Sequence, residues 1–254
     1  MFDEIVYINL DRRTDRHQHM RKQLHNFNVK IERMSAVDGR ELDFENISKT
    51  LVKATSIKNV YENKKYPYMT RGGIGCALSH YNVYKRVVNT FDDNRRVLIL
   101  EDDVWFDENF MEKSREMLGR LPEYDMLYMG YTHVTKIYEY NEYFVPKTVY
   151  GLFGYVINKK AAKNLMSMFP LTYQIDTDIF DTFPKMKTIA LNKPLISSML
   201  SDNNVLGTDI QIINKGDGNN IINDNIMVEI LLIILILIVI IYGTFLAIFI
   251  INDT

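Results

Sequence analysis

Short apolar runs alternate with amphipathic stretches through residues 1–200 of the 254-residue chain. The run Ile5-Val6-Tyr7-Ile8 leaves no polar face, the pattern of a strand covered on both sides, and the strand is expected over 5–10. Thr14 offers a cap for a helix reaching about His25, and strand character returns over 31–35. The same reading predicts strands over 97–100, 126–129, 151–157 and 188–191, with helices over 75–89, 109–118 and 160–168. Alternation of this kind predicts an α/β sheet, so residues 1–200 are read as one catalytic-size domain.

The pattern changes after residue 200. Residues 201–229 read as a linker, because Ser201 to Asn225 is rich in Asn, Asp and Gly and contains Asp217-Gly218-Asn219-Asn220. Residues 230–251 are 22 consecutive positions without a charge, apolar on every face and bounded by Glu229 and Asn252. As a helix this length crosses a hydrocarbon layer of about 30 Å, so one C-terminal transmembrane helix is expected. Met1-Phe2-Asp3-Glu4 shows no basic segment followed by an apolar one, so no secretory signal is expected. The expected location is therefore a membrane, single-pass through a C-terminal anchor, with the domain on the cytosolic side. Cys76 is the one cysteine, which excludes intramolecular disulfides and fits a reducing compartment.

Thirty basic and 32 acidic side chains give a net charge of −2 with no Lys/Arg-rich block, so nucleic acid is not an expected partner. The informative charges are local. Glu101-Asp102-Asp103 follows the apolar run Val97-Leu98-Ile99-Leu100 without a gap. Ligands of open α/β sheets gather outside the carboxyl ends of strands. Three carboxylates there repel one another unless a cation or a basic partner joins them. Mn²⁺ or Mg²⁺ would do so, bridging the acids to a diphosphate. The plainer alternative is a solvated acidic turn, with Asp107 capping the next helix.

Asp176-Thr177-Asp178 is the second acidic candidate: a carboxylate near an acceptor hydroxyl can take its proton, although Asp176 or Thr177 could equally start a helix running to about Phe183. Asn9, Asp11, Arg12, Arg13 and Arg16 leave the first strand where a nucleotide could be gripped, arginine being suited to phosphate by its forked donors. They could also form a solvated helix start. Gly72, Gly73 and Gly75 match no phosphate-loop fingerprint. Cys76 and His80 read as buried structural residues, and Tyr128, Tyr131, Tyr138, Tyr140, Tyr143 and Tyr150 as strand packing more than sugar stacking.

In order along the chain, several segments resemble glycosyltransferase family 25. They are Ile8-Asn9-Leu10-Asp11-Arg12-Arg13-Thr14-Asp15-Arg16, Ala36-Val37-Asp38-Gly39-Arg40, Gly73-Ile74-Gly75-Cys76-Ala77-Leu78-Ser79-His80 and Leu98-Ile99-Leu100-Glu101-Asp102-Asp103. Asp125-Met126-Leu127-Tyr128-Met129-Gly130, Gly154-Tyr155-Val156-Ile157 with Ala161-Ala162, and Ile175-Asp176 follow.

The resemblance implies a GT-A-like nucleotide-sugar fold with a mainly parallel central sheet and a UDP-sugar donor. It also implies a divalent ion held by Glu101 and Asp103, with Asp102 supporting the metal or ribose. Asn9, Asp11, Arg13 and Arg16 would then hold the nucleotide. Family members invert configuration, so Asp176, with Asp178 beside it, takes the role of base. The expected reaction moves a hexose, galactose first, from UDP to a hydroxyl of a glycan or protein. The alternative is a catalytically inactive membrane-anchored module that binds nucleotide sugar or glycan.

Overall fold

The computed structural model of the chain describes residues 1–64 and 67–198. The linker expected over 201–229 and the membrane helix expected over 230–251 lie outside the described residues. Among the described residues no helix is long and apolar enough to cross a membrane.

Along the chain run β1 (Glu4–Asn9), α1 (Thr14–Leu24), β2 (Lys30–Ser35), α2 (Ala54–Tyr61), α3 (Arg71–Thr90), β3 (Arg96–Glu101), β4 (Val104–Phe106) and α4 (Phe110–Leu118). There follow β5 (Met126–Gly130), β6 (Val134–Glu139), β7 (Tyr143–Val149), β8 (Gly154–Asn158), α5 (Lys159–Met166) and α6 (Ile175–Asp178). A 3₁₀ segment, Ile179–Lys185, leads to β9 (Thr188–Leu191) and β10 (Ile196–Ser198). Eight strands form one sheet in the order β2-β1-β3-β8-β5-β9-β7-β6, and β4 pairs with β10 separately.

The sheet is mixed but mostly parallel in strand direction, as expected, with β8 and β7 running against the other six strands. β1–β2, β1–β3 and β5–β9 are parallel, whereas β3–β8, β5–β8, β7–β9 and β6–β7 are antiparallel. The cause is the β6–β7 hairpin. It leaves the carboxyl end of β5 and returns to it, its neck closed by Thr132 N–H to Tyr150 O at 2.8 Å and Tyr150 N–H to His133 O at 2.9 Å. β8 therefore enters the sheet from that edge and runs back between β3 and β5. The carboxyl ends of β1, β3 and β5 and the amino end of β8 consequently meet on one edge.

Period-two alternation divides the core into two layers, one on each face of the sheet. Ile5 and Tyr7 of β1, Leu98 and Leu100 of β3, and Leu127 and Met129 of β5 pack on the face that carries Met20 and Leu24 of α1. Val6 and Ile8, Val97 and Ile99, and Met126 and Tyr128 pack on the opposite face with Ile74, Leu78 and Val83 of α3. Both faces are covered, which is why these strands read as continuous apolar runs.

Local differences from the sequence reading have local causes. The helix expected over 75–89 starts at Arg71, because Thr70 Oγ1 accepts from Gly73 N–H at 3.0 Å and caps it earlier. Gly72, Gly73 and Gly75 thus lie inside the first turns, and no phosphate loop is formed. Gly75 serves close packing instead: a Cβ there would stand 2.5 Å from Val37 O and 2.7 Å from Gly39 N. Thr14 is the first residue of α1 and makes no capping bond. Asn109, at φ 58°, precedes α4, while Asp107 spends its carboxylate on Lys113 Nζ at 2.7 Å. α6 begins at Ile175 after Gln174, so Asp176 and Thr177 are inside the turn and do not cap it.

Candidate active site at the carboxyl ends of β1 and β3

The alternation that builds two cores also divides the acidic tripeptide. Glu101 is the last residue of β3 and continues the parity of Val97 and Ile99, so its side chain falls on the α3 face. There its Oε1 lies 3.3 Å from His80 Nε2 and 3.6 Å from Cys76 Sγ. Cys76 and His80, four residues apart, share one face of α3. Asp102 falls on the α1 face. Its Oδ2 accepts from Asn9 Nδ2 at 2.6 Å, and its Oδ1 pairs with Arg16 Nη1 at 2.8 Å. Asn9 keeps the parity of Ile5 and Tyr7, and Arg16 sits one turn into α1, so both reach this face.

Asp103 stands between these groups. One oxygen lies 3.3 Å from Arg16 Nη1, while the buried Oδ1 has no hydrogen-bond partner among the described residues. Burial raises the Asp103 carboxyl above its ordinary range and the negative charge of Glu101 adds to this, with Arg16 opposing. Asp102 is also raised by burial, against the pull of Arg16 and Asn9. The basic partner that the crowded acids require is therefore Arg16, which is buried with them. It accounts for Asp102 and half of Asp103. It leaves Glu101 and Asp103 Oδ1 for something else.

Asp176 belongs to the same constellation. Burial raises its carboxyl, the charge of Glu101 raises it further, and the backbone N–H of Gly151 opposes both. Asp178 does not join it. Its Oδ2 accepts from the backbone N–H of Thr172 and of Tyr173 (the latter at 3.1 Å), so this carboxylate closes its own loop.

At the rim, Asp11 is exposed and binds Arg33 Nη2 at 2.5 Å and Ser35 Oγ at 2.7 Å; the Ser35 hydroxyl, then Arg33, hold its carboxyl below the usual range. Arg13 reaches Asp15 at 2.8 Å, and that hydrogen bond lowers Asp15 to about 2. Arg12 pairs with Asp38 at 2.6 Å.

Thus Asn9, Arg16, Glu101, Asp102, Asp103 and Asp176 converge, Asp11 and Arg13 flank them, and Asp178 stands apart. Asn9 is almost wholly buried, and its amide is used up on Asp102, on Arg13 O at 3.1 Å and, through Oδ1, on Arg33 Nε at 2.8 Å. It shapes the site more than it offers a free contact. Sequence reasoning missed Arg33 and Ser35. The usable signal was register: Ser35 ends β2 directly beside Asn9 at the end of β1. It also missed Tyr155, whose hydroxyl bonds His80 Nδ1 at 2.7 Å and Tyr84 OH at 3.0 Å.

The chain matches the model of "Glycosyltransferase family 25 (LPS biosynthesis protein)" over residues 2–150. It is 32% identical over 209 residues to a "Glycosyltransferase 25 family member" of Drosophila pseudoobscura pseudoobscura, covering 75% of this chain and 32% of that one. It is 31% identical over 195 residues to human "Procollagen galactosyltransferase 2", covering 70% of this chain and 30% of the relative. The chain thus spans about a third of the length of these relatives. A crystal structure of a glycosyltransferase involved in glycosylation of the major capsid of PBCV-1 aligns with a TM-score of 0.42 at 12% identity, covering 78% of this chain and 93% of that one. With the family model spanning more than half of its residues, this chain belongs to glycosyltransferase family 25.

Proposed function

We propose that the chain is a metal-dependent, inverting glycosyltransferase that moves a hexose, galactose first, from a UDP-sugar to a hydroxyl of a glycan or protein. Family membership supports the reaction class, and the human relative's name points to galactose. One observation carries the site: the buried, unpartnered Asp103 Oδ1 stands at a strand's carboxyl end, where burial and the charge of Glu101 raise both Asp103 and Asp176. An orphaned buried oxygen of this kind is costly, and a bound cation relieves it.

A hard divalent ion fits this donor set, with Asp103 and Glu101 as the residues to hold it. Bound there, Mn²⁺ or Mg²⁺ would supply Lewis-acid stabilisation of the departing diphosphate. The remaining work falls to the chain. Arg16 fixes the Asp102 and Asp103 carboxylates, and Asn9 locks Asp102 to the end of β1. Asp11 and Arg13 at the rim face the nucleotide. Asp176 takes the proton of the acceptor hydroxyl as that oxygen bonds to the anomeric carbon and the bond to UDP breaks on the opposite side. Its raised carboxyl is better matched to neutral pH than an ordinary aspartate. Asp178, tied to its own loop, has no part in this step.

The fold serving the reaction is read as GT-A-like. The 230–251 segment would hold it on the cytosolic face of a membrane.

The test is release of UDP from UDP-galactose by the purified full chain with and without Mn²⁺. Ion-dependent release that disappears in Asp103→Asn is expected. Equal release without a divalent ion would overturn the metal assignment. Ion-dependent UDP binding with no turnover on any acceptor would favour the inactive binding module.

A further inference from the structure

We infer that Cys76, His80 and Glu101 form a binding site for a borderline-soft divalent ion of the zinc class. Three different donors from two elements converge: a thiol and an imidazole one turn apart on α3, and a carboxylate at the end of β3. All three donor atoms lie within 4.8 Å of one another.

Two of the three donor separations match those of a bound ion. Zinc bonds of about 2.0 Å to oxygen and nitrogen and about 2.3 Å to sulfur, set at tetrahedral angles, put the donors roughly 3.3 to 3.6 Å apart. The carboxylate oxygen is 3.3 Å from the imidazole nitrogen and 3.6 Å from the sulfur.

The outer groups also suit a metal. A ligating imidazole needs its second nitrogen held. His80 Nδ1 is held by Tyr155 OH, and Tyr155 OH by Tyr84 OH, all three residues fully buried. Without an ion, the thiol and Nε2–H both donate to Glu101 Oε1. With one, the proton of Cys76 leaves to solvent and the sulfur, Nε2 and Oε1 face the metal. The imidazole stays neutral, with its proton on Nδ1 donated to Tyr155. Glu101 is 24% exposed, so solvent reaches the cluster and can fill a fourth position.

Thiolate with imidazole selects zinc over magnesium or manganese, which prefer oxygen alone. This site therefore differs in chemistry from the Asp103 position while sharing Glu101 with it. On the reading under Proposed function, zinc would withdraw Glu101 from the hard ion and inhibit transfer. Binding itself does not depend on that reading.

The test uses metal-free full chain titrated with Co²⁺, and then with Zn²⁺ as competitor. Cys76 is the one cysteine, so near-ultraviolet thiolate-to-cobalt charge transfer at one equivalent reports this site alone. The band is expected in the native chain, absent in Cys76→Ser and bleached by Zn²⁺. Tyr155→Phe keeps all three donors and should retain the band with affinity on the order of 10-fold weaker. No band in the native chain overturns the inference, whether or not Cys76→Ser folds. So does Zn²⁺ binding equally tight in a folded Cys76→Ser. Because neither readout needs UDP-sugar or turnover, failure here and failure of the transferase reading are separately visible.

Discussion

Asn9 Nδ2 donates to Asp102 Oδ2 across 2.6 Å, joining the end of β1 to the turn that leaves β3, 93 residues away. The amide's orientation is fixed from both sides, since Arg33 Nε donates to Asn9 Oδ1 at 2.8 Å. Asn9→Asp keeps the shape and replaces the donor by a second carboxylate facing the first. Loss of a buried charge-assisted bond together with like-charge contact predicts destabilisation of about 1–3 kcal/mol. For a domain of this size that is a fall in Tm of roughly 2–4 °C per kcal/mol, read by thermal melts at neutral pH. An unchanged Tm would mean that this bond holds nothing together.

Asp103→Asn should do the reverse. Burial and Glu101 raise the Asp103 carboxyl in the folded chain. Between the ordinary aspartate value and the raised one, the unfolded chain has already lost its proton, so the native fold loses stability as pH climbs through that window. At neutral pH without divalent ion the carboxylate therefore subtracts stability, and the neutral amide should raise Tm by a few degrees while ion-dependent UDP release is lost. Melts from about pH 4 to about pH 8 check the sign: the native chain's decline with rising pH should be shallower in the variant. A variant less stable than the native chain across this range would contradict it.

Asp176 and Asp178 are two residues apart and should behave oppositely. Asp176→Asn removes the proposed proton acceptor and should lower kcat by on the order of 10²–10⁴ with Tm steady or raised. Asp178→Ala strips the acceptor from the amides of Thr172 and Tyr173, costing about 1–3 kcal/mol of stability, with lost activity in proportion to unfolding only. Paired kcat and urea-unfolding measurements separate the two. Equal effects of both substitutions would remove the distinction between base and loop anchor.

Period-two patterning made the inner strands legible, because Ile5 to Ile8 and Val97 to Leu100 are buried on both faces and permit one reading. The same parity, carried one residue past β3, already implied that Glu101 and Asp102 face opposite ways. The exposed β6, with Ile137 and Tyr138 turned to solvent, carries no such pattern, and the hairpin it opens was missed. With it was missed the reversal of β8, which depends on where that hairpin returns. The pairing of Arg16 with Asp102 and Asp103 was not legible, since sequence shows that an arginine is near a strand end but not which acid it will meet. The pairing of Cys76 and His80 with Glu101 needs α3 docked at one rotation, and that is set by Gly75 against Val37 and Gly39, 36 to 38 residues upstream.

Asp125 lies away from the chemistry and joins four elements of the fold. Its Oδ2 accepts from Lys160 Nζ at 2.7 Å and from Lys187 N–H at 2.8 Å, and its Oδ1 from Asn158 Nδ2 at 3.0 Å. The start of β5 is thereby tied to the end of β8, the start of α5 and the approach to β9. Burial alone would raise this carboxyl, but Lys160, the Lys187 amide and Asn158 outweigh it and hold it below the ordinary value. The folded state then binds a proton less readily than the unfolded one, so the contribution is present above the ordinary aspartate pKa and is lost as pH falls through the depressed folded value. Asp125→Ala should cost about 1–3 kcal/mol at neutral pH, since the Lys187 amide and Asn158 lose their acceptor. In urea unfolding the gap between variant and native chain should begin to narrow as pH falls below about 4, where the unfolded chain takes up its proton, and should close once pH passes the depressed native value. A gap of constant size down to acid pH would show that the side chain acts through packing and not through its charge.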